Sequence, residues 1–265
     1  MSILNLEFIV ANRKLEFAMD VDPGNKTDQE LITALRAGCP EPEVCCVMAR
    51  VCKEGDFVID GGANIGFFTV LISKLVGDTG HVLAFEPGQN NLFKLRENIK
   101  LNKAKNVELV PLPLWSGPNI VELYMCEDGS KNSLAAHAGT RGFETFKAVA
   151  INDYQQSKPP KLIKLDIEGA EEAALRGASN LIGEDGCPYI VMEMNAEALP
   201  KFGANFDSVR NLMRENGYMM FLLHPDGSLP TYVPRATIPR PRFLNWNVMF
   251  STFELVGEAW KDIIV

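Results

Sequence analysis

Several features are absent from this sequence of 265 residues, and each absence excludes a class of protein. No apolar run approaches the roughly 18 residues that a membrane-spanning helix needs, and residues 1–8 carry neither a basic stretch nor the apolar core of a secretory signal. The formal net charge of −8 would repel a nucleic acid unless basic residues cluster on one face. We therefore expect a cytoplasmic protein that binds neither a membrane nor a nucleic acid.

A metal site is not expected either, although the chain has six cysteines and three histidines. Zinc sites pair their cysteines as C-x-x-C or add histidines, and these cysteines show neither the pairing nor a nearby histidine. We expect reduced thiols that pack against apolar neighbours. Four of the six crowd into one segment and two lie apart: Cys39, Cys45, Cys46, Cys52, Cys126 and Cys187.

What the sequence does contain, from about residue 57 onward, is an alternation of short apolar runs with longer helical patterns. This alternation is typical of a parallel α/β sheet with helices on both faces. Two later apolar runs, 218–223 and 248–253, have no strong helix between them and predict a terminal antiparallel hairpin. The parallel strands are predicted at 58–60, 82–86, 107–112, 162–166 and 189–193, and the helices at 67–76, 90–101, 171–178 and 206–216.

Ahead of this core, which takes up residues 54–265, residues 1–53 are expected to form a strand and helices that pack on it as part of one structural domain. A helix is predicted over 27–53, with Thr27 as its N-cap and Glu30 as the capping-box partner.

Two loops within the core have two interpretations each. The polar stretch between Cys126 and Phe146, which contains His137, is either a lid over a substrate or plain surface, and a strand is predicted after it at 148–151. The proline-rich loop from Arg235 to Arg242 is suited to an anionic substrate group, or its arginines are simply solvated.

The most informative motif is the stretch from residue 57 to residue 69, where an apolar strand runs into a glycine turn and then a helix. In a parallel sheet such a turn lies at the carboxyl end of its strand, where backbone amides and a helix N-terminus face a ligand. Asp60 ends this strand, and Glu86 ends the next, where a carboxylate can take both hydroxyls of a ribose. Together they predict a pocket for a nucleoside with a positively charged amino-acid tail, which S-adenosylmethionine fits. The turn consists of Gly61, Gly62, Ala63, Asn64, Ile65 and Gly66.

A dinucleotide cofactor is the main alternative, because Gly61, Ala63 and Gly66 followed by Glu86 approach the G-x-G-x-x-G fingerprint. That fingerprint prefers glycine at its middle position, where this chain has Ala63. Asp60 would also repel two phosphates but attract the ammonium of a methionine tail. The pattern therefore favours the methyl donor over a nicotinamide cofactor.

With these residues in place, the chain resembles the FkbM family of S-adenosylmethionine-dependent methyltransferases. The resemblance is carried by residues 55–66, by Glu86-Pro87 and above all by residues 164–171, KLDIEGAE. It implies a Rossmann-like class I methyltransferase fold with a mostly parallel seven-stranded sheet. It also implies site roles: the methionine portion would lie on Asp60 and the 61–66 turn, the ribose on Glu86 with Pro87, and the adenine beside Trp115 and Ser116.

Methyl transfer from a sulfonium is a direct displacement with a neutral leaving group, so positioning supplies much of the rate. An alcohol acceptor must lose its proton and gains from a base within reach, whereas an amine need only be neutral. Asp166 and Glu168, at the end of a strand beside the expected sulfonium, are the candidate bases, and only one is expected to face the acceptor. Asp166 could instead anchor the cofactor, and Glu168 could be an acidic first helical turn. His224 is a third candidate base or a structural turn residue, and Glu171 is expected on a solvated helix face.

We therefore expect an S-adenosylmethionine-dependent methyltransferase that acts on a hydroxyl of a small molecule, such as a sugar or a secondary metabolite, because the resemblance implies O-methylation. The alternatives are an N-methyltransferase, a nicotinamide-dependent oxidoreductase and a catalytically silent subunit that binds the cofactor for a partner. The sequence names neither the acceptor nor the oligomeric state.

Overall fold

The computed structural model describes residues 2–126, 132–136, 140–154, 158–234 and 245–263, without the side chains of residues 26, 27, 30, 37 and 126. Within these ranges the strands are β1 Ser2–Val10, β2 Arg13–Val21, β3 Phe57–Gly61, β4 His81–Phe85, β5 Val107–Val110, β6 Asn119–Cys126, β7 Thr140–Ala148, β8 Leu162–Leu165, β9 Tyr189–Asn195, β10 Met219–Leu222, β11 Thr231–Tyr232 and β12 Asn245–Ser251. The helices are α1 Lys26–Ala37, α2 Pro42–Val51, α3 Phe67–Val76, α4 Gln89–Leu101, α5 Glu171–Arg176, α6 Phe206–Glu215 and α7 Phe253–Ala259.

The central sheet has the strand order β11-β10-β12-β9-β8-β3-β4-β5. The five strands from β9 to β5 run parallel, and β12 inserts antiparallel between β9 and β10. The predicted class and the terminal antiparallel pair are confirmed. The count of seven strands is wrong by one, because the chain turns back after residues 224–227 and pairs Thr231–Tyr232 with the free edge of β10.

Each strand divides its side chains between two apolar layers, because successive residues of a strand point to opposite faces. In β3, Val58 packs in one layer, whereas Phe57 and Ile59 pack in the other. Helices α2 and α3 and strand β2 contribute to the first layer, and α5 and α6 contribute to the second. The sheet is therefore covered on both faces, as parallel sheets generally are.

The segment before the core differs from the prediction in two ways. The single helix expected over 27–53 is two helices, since prolines at 40 and 42 flank Glu41, whose positive φ of 41° stops the helical path. The N-cap of the first helix is Asn25 and not Thr27, because the Asn25 side chain accepts from the backbone N–H of Asp28. The side chain of Glu30 lies outside the description.

Strands β1 and β2 form a hairpin that packs on the core through Leu15, Phe17 and Met19 of β2. Between β5 and β8 the chain adds a second hairpin, β6–β7, as a separate two-stranded sheet. The strand predicted at 148–151 ends at Ala148 instead, and a 3-10 turn follows at Ile151–Asp153.

Parts of both uncertain loops lie outside the described residues. These are residues 127–131 and 137–139, including His137, and residues 235–244, which contain the arginine-rich loop. In the part of the chain that the structure describes, no helix is both long enough and apolar enough to cross a membrane.

Candidate cofactor and active site

The carboxyl ends of β3, β4 and β8 meet at one edge of the sheet, because these three parallel strands are neighbours. The segments that follow them surround a cavity of about 690 Å³, its open mouth included. Open α/β sheets bind their ligands at this edge. Six residues predicted for the site line the cavity: Gly62, Asn64, Glu86, Pro87, Asp166 and Glu168.

The glycine turn after β3 is shaped by close backbone approaches. Gly62 has a positive φ of 80°, and a Cβ atom there would lie 1.9 Å from the carbonyl oxygen of Asp166. Gly66 has a φ of 98°, and a Cβ atom there would lie 2.6 Å from Cδ1 of Leu95. Both positions therefore require glycine, and the turn brings β3 and β8 into direct contact below the cavity.

Glu86 organises the opposite wall of the cavity. Its Oε2 accepts the backbone N–H of Asn64 at 2.8 Å, and its Oε1 accepts that of Gly88 at 2.8 Å. Burial, only partly offset by these hydrogen bonds, raises the pKa of Glu86 to about 7. Its Oε1 also accepts the side-chain amide of Asn91 at 3.4 Å, whereas Oε2 retains a second lone pair and can accept a hydrogen bond from a bound hydroxyl.

Asp60 lies behind the turn and is not brought to the wall of the cavity. It is fully buried, and its Oδ2 accepts the hydroxyl of Thr69 at 2.6 Å. The ammonium of Lys164 lies 3.5 Å from Asp60 Oδ1 and 3.7 Å from Asp166 Oδ2. Because Lys164 offsets the charge of Asp60, Asp60 should repel the phosphates of a dinucleotide only weakly. The charge of Asp60 therefore no longer argues against a dinucleotide.

Lys164 itself is 3% exposed and lies 5.1 Å from the centre of the Phe68 ring. Burial alone would lower its pKa, but the charges of Asp60 and Asp166 outweigh burial and hold the pKa above its ordinary value. Lys164 is therefore a buried cation that joins the glycine turn to the strand carrying Asp166.

Asp166 and Glu168 both line the cavity, although alternation along a strand predicted that only one would face it. The backbone leaves β8 at Leu165, and Glu168 adopts a positive φ of 55°, so strand alternation no longer applies. The Asp166 side chain is 34% exposed. Two carboxylates thus share one edge of the cavity.

Glu171 is buried beneath the loop that carries Asp166 and Glu168. The prediction that Glu171 lies on a solvated helix face is therefore wrong. Glu171 is 1% exposed, and its Oε1 accepts the backbone N–H groups of Ile167 at 3.0 Å and Gly169 at 3.2 Å. Burial, only partly offset by hydrogen bonds from the backbone, raises the pKa of Glu171 to about 7. A buried carboxylate therefore fixes the turn that presents Asp166 and Glu168.

Further acids surround this edge. Burial, followed by the charges of Asp166 and Glu168, raises the pKa of Glu193 to about 9. Asn245 donates to Glu193 Oε1 at 2.9 Å. Glu41 keeps solvent contact at the rim, yet the protein around its carboxyl group and the charge of Asp166 raise its pKa to about 7. Burial and the neighbouring acids therefore favour the protonated form of Glu193.

Several predicted site residues lie elsewhere. Gly61, Ala63 and Gly66 shape the turn without lining the cavity. The apolar wall comes from residues 112–114, whereas Trp115 and Ser116 do not line the cavity, and the Trp115 ring packs against Phe202. His224 is separated from β8 by β12 and β9, and its Nε2 lies 2.8 Å from the Thr231 hydroxyl, so it is a turn residue. Among the described residues, no group of three or more His, Cys, Asp or Glu side chains could hold a metal.

Sequence reasoning gave no role to Lys164 and missed the burial of Glu171. The available signal for Lys164 was a lysine at the end of an otherwise apolar strand. Glu171 carried no such signal, because an acid in the first turn of a helix is normally solvated and stabilised by the helix dipole.

Comparison with known proteins identifies the family. A family model described as "Methyltransferase FkbM domain" matches residues 60–220, more than half of the chain. The chain belongs to the FkbM methyltransferase domain family. The matched region begins at Asp60 and includes every residue that lines the cavity.

Curated relatives of this FkbM domain are methyltransferases of different specificity. The hexuronic acid methyltransferase AglP of Haloferax volcanii is 24% identical over 164 residues, which are 61% of this chain and 65% of that protein. An arsenite methyltransferase of Halobacterium salinarum is 36% identical over 74 residues, 28% of this chain and 18% of that protein. The chain therefore matches less than two thirds of the length of either relative.

Solved structures resemble the chain at lower identity. A SAM-dependent O-methyltransferase from Thermotoga maritima is 12% identical with a TM-score of 0.49, and the match covers 93% of this chain and 77% of that one. A precorrin-6y C5,15-methyltransferase from Geobacter metallireducens is 15% identical with a TM-score of 0.45, and the match covers 80% of this chain and 89% of that one.

S-adenosylmethionine is the cofactor of this family, and the cavity of the FkbM domain contains groups that fit it. Glu86 can accept ribose hydroxyls, and residues 112–114 supply an apolar wall for an adenine ring. Asn64 Oδ1 is buried and, within the described ranges, accepts no hydrogen bond, so it can accept one from a ligand. When bound, the cofactor supplies a methyl group activated by a sulfonium.

Proposed function

We propose that this chain is an S-adenosylmethionine-dependent O-methyltransferase whose acceptor is a hydroxyl of a small molecule, most specifically a sugar. The observation that carries the proposal is the pair of carboxylates, Asp166 and Glu168, on the edge of the cofactor cavity. An alcohol must lose its proton as its oxygen forms the new bond to carbon, and such carboxylates can receive that proton. The similarity to a hexuronic acid methyltransferase supports a sugar as the acceptor.

The two carboxylates have different settings, which suggests different roles. Asp166 lies 3.7 Å from the Lys164 ammonium, and its side chain is 34% exposed. Glu168 lies on the segment fixed by Glu171, and its carbonyl oxygen accepts the hydroxyl of Ser133 at 3.1 Å. We assign the base role to Asp166 and acceptor positioning to Glu168.

The test is transfer of a labelled methyl group from S-adenosylmethionine to a panel of glycosides and to matched amino sugars, analysed by mass spectrometry. Asp166→Asn should lower kcat by about 100-fold, in line with the loss of a general base, and should abolish the acidic limb of the pH–rate profile. Glu168→Gln should mainly raise the acceptor KM. The control is Asp185→Asn, since Asp185 is an exposed loop residue outside the cavity.

If the amino sugars are methylated on nitrogen and the glycosides are not methylated, the chain is an N-methyltransferase and the proposed O-methylation is wrong. Binding of the cofactor without methylation of any acceptor would favour a cofactor-binding subunit. An Asp166→Asn variant with the kcat and pH profile of the parent would contradict the assigned base.

A further inference from the structure

A second cavity lies beside the cofactor cavity, between the β6–β7 hairpin and the 3-10 helix Leu199–Phe202 that follows β9. It measures about 430 Å³. Small-molecule sites usually measure about 300–1,000 Å³. The cavity is therefore large enough for a ligand of its own.

Three of the ten residues that line this second cavity are aromatic. Trp115 and Phe202 meet with ring centres 5.9 Å apart and planes at 66°, so they form a corner. Tyr124 lines the hairpin side, where its ring packs against Phe143 at 5.6 Å. Trp115, Phe202 and Tyr124 are only half-buried. Flat apolar faces kept partly exposed around a concave space suit the C–H face of a pyranose ring.

Charged groups of both signs lie between these rings, on opposite sides of the cavity. Lys201 lies on the 3-10 helix, and no carboxylate in the described ranges lies within ion-pair distance of its ammonium. Glu122 and Thr145 face each other on β6 and β7, and the Glu122 carboxylate accepts the hydroxyl of Tyr124. The cavity thus offers a cation on its 3-10 helix side and groups that hydrogen-bond hydroxyls on its hairpin side.

The second cavity adjoins the first. Leu134 lines both cavities, so this residue forms part of the wall between them. The preceding residue, Ser133, donates its hydroxyl to the carbonyl oxygen of Glu168. Residues 133 and 134 therefore connect the wall of the second cavity to the segment that carries Glu168.

We propose that this second cavity is the acceptor site and that it binds an acidic pyranose, a sugar ring that carries a carboxylate. The ring packs on Trp115 and Phe202, and its carboxylate pairs with Lys201. This inference rests on the proposed function and goes beyond it by assigning the residues that select the acceptor. Lys201 and the aromatic corner are binding residues and take no part in proton transfer.

The experiment measures methyl transfer and saturation-transfer NMR binding with methyl glycosides of glucuronic, galacturonic and mannuronic acid and with the three matching neutral glycosides. Phe202→Leu and Trp115→Ala should raise the KM for uronides by about tenfold, as loss of an aromatic contact of about 1.4 kcal/mol implies. Lys201→Gln should raise the KM for uronides by a similar factor and leave that for neutral glycosides unchanged. Cofactor affinity by calorimetry should match the parent in all three variants. Phe93→Ala and Lys105→Gln are the matched controls, because both side chains are exposed and lie outside the two cavities.

The outcomes separate this inference from the proposed function. Methylation of sugars with unchanged uronide KM in all three variants overturns the acceptor site and leaves O-methylation standing. Equal binding of uronides and neutral glycosides by the parent overturns the role of Lys201. Failure of the parent to methylate any glycoside, with the cofactor bound, overturns the proposed sugar acceptor itself. Lys201→Gln changes an exposed side chain, so its result is independent of any folding defect in the aromatic variants.

Discussion

Replacement of Lys164 by methionine is the sharpest test of the charge arrangement below the cavity. Methionine keeps most of the side-chain volume and removes the ammonium that lies 3.5 Å from Asp60 and 3.7 Å from Asp166. Asp60 is fully buried, and its Oδ1 accepts no hydrogen bond in the described ranges. The substitution therefore leaves a buried carboxylate whose nearest cation has gone.

The expected loss of stability is about 3–5 kcal/mol at pH 8, the cost of removing one partner of a buried ion pair. The physical reason is desolvation, because Asp60 stays fully buried when the ammonium that faces it is removed.

Urea denaturation followed by circular dichroism at pH 8 measures this loss. The double variant Lys164→Met with Asp60→Asn is the companion, because it removes both charges and should recover most of the loss. A Lys164→Met protein as stable as the parent, or one whose loss of stability is not recovered in the double variant, would refute the role given to Lys164.

Three further predictions concern the groups around the cavity. Gly62→Ala should destabilise the fold by at least about 2 kcal/mol in urea and abolish cofactor binding, because its Cβ would lie 1.9 Å from a carbonyl oxygen. Calorimetry should show S-adenosylmethionine binding tighter as pH rises through about 7, the pKa of Glu86, because the ionised carboxylate accepts ribose hydroxyls better. Glu86→Gln should bind about tenfold more weakly at pH 8, with no such pH dependence. Since the folded-state pKa of Glu171 is raised from 4.5 to about 7, Glu171 should contribute a fall in stability of up to about 3 kcal/mol as pH rises over that interval, and Glu171→Gln should remove this contribution in thermal melts.

Each of these predictions has a matched control or a contrary outcome. Gly117→Ala controls for the loss of a glycine, because a Cβ atom there meets nothing within 4 Å. Equal pH dependence of binding in the parent and in Glu86→Gln would remove Glu86 from the ribose site. A Glu171→Gln protein whose melting temperature follows the parent across pH 5 to 8 would show that Glu171 does not titrate in the folded state.

The sequence by itself determined the class of fold and the location of the site, because these depend on local signals. Residues 67–76 were predicted as a helix, and α3 has those bounds, since the pattern of apolar residues and the flanking glycines are encoded within a few positions. The acids after β4 and β8 and the glycines after β3 could be placed at one edge because parallel strands end on the same side.

Only the tertiary structure decided which of those side chains face the ligand. Asp60 pairs with a lysine 104 positions later in the chain, and this follows from β3 lying beside β8. Glu171 is buried because its carboxylate satisfies backbone N–H groups of the loop before its helix. Trp115 packs against Phe202 and does not line the cofactor cavity. Periodicity specifies the face of an element but not its partner, and partners depend on strand order and backbone turns that no local pattern encodes.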